Sequence, residues 1–162
     1  MKNIIFIVLM IASISTSGQV SQSLYTGSIP NNIPGPNNQN EAVTGGILRI
    51  ANVTEPKYTF YPSKAMTAVN KPLVIIFPGG GYRILAASHE GSDVAKKLNE
   101  IGVHAMVVHY RLPDSTRQED MKYAPLQDAQ QAIRVARQQA AGWNVDVNKI
   151  GVMGFSAGES VS

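Results

Sequence analysis

The sequence contains 162 residues, of which 14 are Lys or Arg and 11 are Asp or Glu, giving a formal net charge of +3, and it has no cysteine. A positive excess this small, without any run of Lys or Arg, argues against a nucleic-acid partner. Without cysteine the chain can form neither a disulfide framework nor a cysteine-linked lipid anchor. Its length suits one ordinary domain.

The amino-terminal residues 1–18 predict a secretory signal peptide. Residues 1–3 include a positive charge, residues 4–14 are mostly apolar, and small residues follow at 15–18. The apolar segment is too short to span a bilayer but is typical of a signal, with cleavage expected near Gly18. The alternative is an uncleaved membrane anchor. We expect export, either to a periplasm or out of the cell, with no stable membrane insertion after cleavage.

Residues 19–45 have few large apolar side chains and contain three prolines and an Asn-rich run. Such a composition cannot bury enough surface to offset the entropy of ordering the chain. We therefore predict a flexible linker, or an extended arm over the surface, and place the folded domain at residues 46–162.

Within that domain, buried strands alternate with amphipathic helices. Apolar runs rich in β-branched and aromatic residues predict strands at 47–53, 57–61, 73–77, 103–110 and 150–155. Apolar spacings of three and four predict helices at 88–100 and 125–143, and a turn is expected at 146–148. This order is typical of an α/β fold with a mostly parallel sheet, right-handed crossovers and helices on both faces.

The last predicted strand runs directly into Gly154-Phe155-Ser156-Ala157-Gly158, which has the G-x-S-x-G spacing of a nucleophile elbow. In such an elbow the chain turns sharply from strand to helix and holds the serine strained at the tip. A Cβ at Gly154 or Gly158 would collide with the neighbouring strand or helix. The pattern predicts that Ser156 is a nucleophile.

A second glycine-rich segment, Pro78-Gly79-Gly80-Gly81-Tyr82, follows the predicted strand 73–77. Because carboxyl ends of parallel strands meet at one edge of a sheet, this loop is expected beside Ser156. Backbone N–H groups of such a loop can stabilise an oxyanion without obstruction by side chains. The alternatives are a plain loop and a phosphate cradle, although no Gly-Lys-Ser/Thr follows to make a P-loop.

Four segments in this order, namely residues 78–82 (PGGGY), 110–113 (YRLP), 124–129 (APLQDA) and 154–158 (GFSAG), resemble α/β-hydrolase esterases. The similarity is greatest to the exported carbohydrate acetyl and feruloyl esterases of the BD-FAE type, which are related to the hormone-sensitive-lipase group. The resemblance implies a serine carboxyl esterase that needs no cofactor. It makes Ser156 the nucleophile and assigns the oxyanion hole to the N–H groups of Gly80, Gly81 and Ala157.

The sequence departs from these esterases after Ser156. In the superfamily the acid and the histidine of the triad follow the serine, but residues 157–162 contain no histidine. Glu159 stands where the family usually has a second glycine, and its charge would oppose a developing oxyanion. We expect the amino-terminal portion of an α/β-hydrolase, truncated just after the elbow and nearly inactive. An in-frame Asp and His downstream in the gene would support this expectation.

The histidines that are present, at positions 89, 104 and 109, are not where this fold delivers its base. We expect them at the surface or at the core edge, and only His109, near the carboxyl end of its strand, could approach the site. Asp93 and Asp128 are expected to interact with helix N-termini, and Asp114 to form a turn. The spacing of His89, Glu90 and Asp93 fits no zinc pattern, so no metal is predicted.

The implied substrate is an esterified carbohydrate or a small ester, most simply an acetyl or feruloyl group on plant polysaccharide. Two alternatives remain open. One is a serine peptidase of the prolyl-oligopeptidase type, which shares the elbow. The other is a non-catalytic module that uses the half-sheet as a binding surface.

Overall fold

The computed structural model describes residues 19–64 and 70–161, so the predicted signal peptide at 1–18 lies outside the described residues. The strands are β1 (Ser21–Ser23), β2 (Asn40–Thr44), β3 (Ile47–Ala51), β4 (Lys57–Tyr61), β5 (Lys71–Phe77), β6 (Ile84–Ala86), β7 (His104–His109) and β8 (Val145–Gly154). The helices are α1 (Asp93–Glu100), which continues a π-helical turn at Ser88–Ser92, and α2 (Ala124–Trp143). A 3₁₀ turn at Ser156–Gly158 follows β8.

The main sheet has five strands in the order β1-β4-β7-β5-β8. Its centre is parallel, as predicted: β5 lies between β7 and β8, with Ile75 opposite Met106 on one side and Val152 on the other. β4 and β1 extend the sheet in antiparallel orientation. A separate antiparallel sheet has the order β2-β3-β6.

Alternate residues of the central strands fill two hydrophobic clusters on opposite faces of the sheet. Leu73, Ile75 and Phe77 of β5 join the larger cluster, which includes the buried alanines of α2. Ile76 joins the smaller cluster together with Ala95 of α1. Burial on both faces explains why β5 is continuously apolar rather than alternating. The predicted placement of helices on both faces is confirmed.

The turn predicted at residues 146–148 is part of β8, where it forms a bulge. Lys71 pairs with Val145 and Leu73 with Ile150, so four residues of β8 oppose one of β5. The Asn148 N–H donates to Asp146 Oδ1 at 3.0 Å, the local hydrogen bond that makes Asp a turn former. The chain therefore turns without leaving the sheet.

Residues 19–45, for which the sequence predicts a flexible linker or an extended surface arm, contact the rest of the fold. β1 pairs with β4, and Leu24 is 1% exposed in the core. The Leu24 N–H donates to Pro56 O at 3.0 Å, and the Ile33 N–H donates to Arg117 O at 2.9 Å. We name residues 19–39 the arm.

A buried ion pair fastens the arm to the sheet and to α2. Arg111 and Asp128 are both fully buried, and the guanidinium Nη2 lies 2.8 Å from Asp128 Oδ1. The Arg111 N–H donates to the same carboxylate, as does the Tyr25 hydroxyl of the arm, at 2.8 Å and 2.9 Å. Arg111 Nη1 donates to Pro30 O at 2.8 Å. The expectation that Asp128 interacts with a helix N-terminus is therefore wrong: its partners are Arg111 and Tyr25, which only the tertiary fold brings to it.

Candidate active site

Ser156 occupies the tip of a sharp turn between β8 and the 3₁₀ turn. Its φ is +51°, in the left-handed region that a residue with a Cβ rarely adopts. Gly154 and Gly158 flank it where the backbone comes very close: a Cβ on Gly154 would lie 2.4 Å from Gly158 O, and one on Gly158 would lie 2.2 Å from Phe77 O. The side chain of Ser156 is exposed. The turn therefore presents the hydroxyl to solvent on a strained, tightly packed support.

The glycine-rich loop lies directly against this turn. The Phe155 N–H donates to Phe77 O at 3.1 Å, which joins the end of β8 to the end of β5. A Cβ on Gly79 would lie only 2.2 Å from Phe155 O. The two segments that the sequence predicted to meet at the carboxyl edge of the sheet do so.

Three backbone N–H groups at this edge have no acceptor in the part of the chain that the structure describes. Within the described residues, the N–H groups of Gly80, Gly81 and Ala157 donate no hydrogen bond. Gly80 and Gly81 have φ values of +142° and +62°, which glycine adopts readily. A Cβ on Gly80 would also lie 2.1 Å from Ile84 O. Unpaired donors beside an exposed hydroxyl are what stabilisation of an oxyanion requires.

Two side chains to which the sequence assigned no role at the site hold the loop. The Gly79 N–H donates to Glu90 Oε2 at 2.8 Å, and the Tyr110 hydroxyl donates to Pro78 O at 2.9 Å. Burial, together with Tyr82 and the Glu90 carboxylate, raises the pKa of Tyr110, so its hydroxyl stays protonated and remains a donor. Tyr110 belongs to the YRLP segment, so the sequence offered a signal for its role at the site. No local sequence pattern indicated that Glu90 supports the loop.

None of the three histidines hydrogen-bonds to Ser156, whose hydroxyl has no hydrogen-bond partner in the part of the chain that the structure describes. His104 is buried, and its Nδ1 accepts a hydrogen bond from the Ser63 N–H at 2.9 Å. Burial lowers its pKa, and the charge of Lys71 lowers it further.

His109 pairs with Lys57 of the neighbouring strand β4. Burial lowers the pKa of His109; the charge of Glu41 opposes this shift and that of Lys57 adds to it. His89 is exposed on the π-helical turn. Neither is linked to the elbow by a hydrogen bond among the described residues. Glu159 is exposed directly after the elbow, and its N–H donates to Ser156 O at 3.0 Å.

The remaining acidic residues have local roles. Asp114 accepts hydrogen bonds from the Thr116 N–H and hydroxyl at 2.8 Å and 2.6 Å, as expected of a turn former. These bonds lower the pKa of Asp114. Asp93 forms an exposed ion pair with Lys96 in the first turn of α1. No group of three or more potential metal ligands occurs within residues 19–64 and 70–161, and no helix in that part of the chain is long and apolar enough to cross a membrane.

Known proteins with a similar sequence are xylan-degrading enzymes. An acetylxylan esterase of Xylanibacter ruminicola is 40% identical over 89 residues, which cover 55% of this chain and 18% of the esterase. Endo-1,4-β-xylanase B of Butyrivibrio fibrisolvens is 37% identical over 93 residues, which cover 57% of this chain and 14% of the xylanase. The chain thus spans less than a fifth of the length of either relative.

The fold resembles that of a crystallised acetyl ester-xyloside bifunctional hydrolase from Caldicellulosiruptor lactoaceticus. The TM-score is 0.65 at 32% sequence identity, and the match covers 88% of this chain and 44% of the hydrolase. The predicted partial α/β-hydrolase fold is thereby confirmed. The BD-FAE family model matches residues 59–162, which include β5, the glycine-rich loop and the elbow. Since that match takes in more than half of the sequence, the chain belongs to the BD-FAE family of α/β-hydrolase-fold proteins.

Proposed function

We propose that this site belongs to a serine carboxylic ester hydrolase, with Ser156 as the nucleophile. The observation that carries the proposal is the strained conformation of Ser156, with φ at +51°, beside a loop in which the Gly80 and Gly81 N–H groups donate to none of the described residues. Strain of this kind persists only where the surrounding packing enforces it, and it is concentrated at functional sites. Unpaired backbone donors in the elbow and in the loop that packs against it suit acyl transfer better than they suit a plain loop.

In the proposed reaction, Ser156 Oγ attacks the carbonyl carbon of the ester while a base accepts the hydroxyl proton. The N–H groups of Gly80, Gly81 and Ala157 stabilise the negative charge that develops on the carbonyl oxygen. The tetrahedral intermediate then expels the alcohol and leaves an acyl group on Ser156. Attack by water on this acyl-enzyme regenerates the serine and releases the acid.

The proposed substrates are acetyl or feruloyl esters of plant polysaccharide. This choice is supported by membership of the BD-FAE family and by the similarity to an acetylxylan esterase and to an acetyl ester-xyloside hydrolase. The signal-like residues 1–18 support secretion or a periplasmic location, where such polymers are accessible.

The 162-residue chain is proposed to be a poor catalyst by itself. No histidine in the described residues hydrogen-bonds to Ser156, so the hydroxyl has no base from them. Removal of the base from a serine triad costs on the order of 10⁶ in kcat, while the oxyanion hole and binding retain about 10³ over the uncatalysed rate. We expect a low residual rate that an external base can raise.

The test is hydrolysis of p-nitrophenyl acetate with and without imidazole, which can act as an external base. The full chain should show a rate above that of imidazole alone, and this excess should increase with imidazole concentration. Ser156→Ala should abolish the excess. Ser160→Ala changes another exposed serine four residues away and should leave it intact.

An equal excess in Ser156→Ala and the unaltered chain would refute Ser156 as the nucleophile. A folded chain without any excess at high imidazole would favour the alternative of a non-catalytic binding module.

A further inference from the structure

A cavity of about 330 Å³ lies between the arm and β4. None of the residues of the elbow or of the glycine-rich loop at 78–82 lines it. Its volume falls within the range of small-molecule sites in proteins. The polar side chains that line it belong to Ser23, Asn32, Glu55, Lys57 and Arg117.

Arg117 is buried, with 7% of its surface exposed, yet it forms no ion pair with a described carboxylate, and its charge acts on Asp114 only as one of the weaker causes of the lowered pKa of that residue. Its Nε donates to Ile33 O at 3.0 Å, and its Nη1 donates to Pro36 O. Its Nη2 donates to no described residue and is not sealed from solvent, and the residue lines the cavity. Buried charges are normally paired. Fastening the arm accounts for two of the three nitrogens and leaves the third available for a ligand.

Asn32, on the same cavity, has a side-chain amide without hydrogen-bond partners among the described residues. Its Oδ1 is buried without a hydrogen-bond partner in the described part of the chain, and its Nδ2 donates to none of the described residues. Unlike Oδ1, Nδ2 is not sealed from solvent, so it is accessible as a donor in the cavity that the residue lines. A ligand that accepts hydrogen bonds can pair with the Nδ2 donor, whereas the sealed Oδ1, itself an acceptor, stays unpaired.

The two remaining charges on the wall define the ligand further. Lys57 adds a second positive charge and Glu55 a negative one, and neither forms an ion pair with a described residue. The cationic groups and the Asn32 amide suit a carboxylate, whereas the Glu55 carboxylate suits the hydroxyl groups of a ligand.

We propose that this cavity binds a small carboxylate that also carries hydroxyl groups, through Arg117, Asn32 and Lys57 on the acid and Glu55 on the hydroxyls. The site is separate from Ser156 and does not depend on the proposed esterase function. Binding joins the arm to the loop between β7 and α2, because Asn32 and Arg117 come from segments that meet only in the folded chain.

The test is calorimetric titration of sodium glucuronate into the full 162-residue chain. We expect saturable binding at one site, at least about tenfold tighter than that of glucose, which lacks the carboxylate, or of acetate, which lacks the hydroxyls. Increasing salt should weaken the binding because a charge pair contributes to it.

Arg117→Gln should weaken glucuronate binding at least about tenfold, since it removes the charge that faces the carboxylate. Asn32→Asp should have the same effect by placing a competing carboxylate in the cavity, while Arg117 keeps its bonds to Ile33 and Pro36. If Arg117→Gln fails to fold, as judged by circular dichroism, Asn32→Asp alone decides. Arg137→Gln, on the exposed face of α2, is the matched control and should bind normally.

Equal binding of glucose and glucuronate would overturn the proposal, as would equally tight binding of inorganic phosphate. Undiminished glucuronate binding by Asn32→Asp, or the absence of saturable binding to the folded chain, would also overturn it.

Discussion

The elbow makes a steric prediction at Gly154 that can be worked from distances. A Cβ there would lie 2.4 Å from Gly158 O and 2.5 Å from Glu159 N, whereas ordinary contacts begin at 3.4 Å. In Gly154→Ala the turn would therefore move by about 1 Å, and because both obstructing atoms are backbone, rotation of a side chain cannot relieve the overlap. We expect a loss of about 3 kcal/mol of unfolding free energy, the upper part of the range for overpacking.

Gly151→Ala is the matched control. It makes the same chemical change in the same strand three residues earlier, where no atom lies within 4 Å of the added Cβ. Because alanine loses less conformational entropy than glycine, this variant should be neutral or more stable by about 0.5 kcal/mol.

Urea denaturation monitored by circular dichroism measures both changes. With a slope of about 1.5 kcal/mol per molar urea, the midpoint of Gly154→Ala should fall by about 2 M. The midpoint of Gly151→Ala should stay the same or rise slightly. Equal midpoints for the two variants would refute the packing described for the elbow.

The remaining predictions concern the supports of the site and the pH dependence of stability. Asp128→Ala should cost about 3–5 kcal/mol of unfolding free energy, because it leaves the fully buried Arg111 unpaired. Asp93→Ala, at an exposed pair, should cost at most about 1 kcal/mol, and equal urea midpoints for the two would contradict the importance of burial. Glu90→Ala removes the acceptor of the Gly79 N–H and should lower the imidazole-stimulated esterase rate about tenfold, because the glycine-rich loop would be misplaced. An unchanged rate would argue against this role of Glu90. Burial and the charge of Lys71 lower the pKa of His104, so the folded state disfavours its protonated form. The unfolded state then binds more protons. The melting temperature should therefore fall as the pH drops below the ordinary histidine pKa of about 6.5. His104→Gln should lose less stability over that interval, and an identical decrease in both proteins would show that His104 does not contribute.

The parts of the fold that sequence predicted well are those with strong local patterns. The continuous apolar run of β5 and the spacing of three and four in α2 each reflect burial that a short stretch of sequence already encodes. The elbow and the glycine-rich loop were predicted for the same reason, because their geometry restricts the residue types at fixed spacings.

The parts that were missed depend on contacts between distant segments. β6 is three residues long and is fixed by pairing with β3, and the bulge of β8 is fixed by its register against β5. Likewise, Glu90 reaches Gly79 over 11 residues of sequence. A composition typical of a linker cannot reveal that Tyr25 of the arm bonds to a carboxylate 103 residues away.

The central claim, that Ser156 is an acyl-accepting nucleophile, is tested most directly by locating the acyl group. After incubation of the full chain with p-nitrophenyl acetate and imidazole, peptide mapping by mass spectrometry should find acetyl on the peptide that contains Ser156. It should be the serine modified fastest, because we propose that the Gly80 and Gly81 N–H groups stabilise the oxyanion there. Acetylation of Ser160 or Ser115 at the same rate as Ser156 would contradict the account.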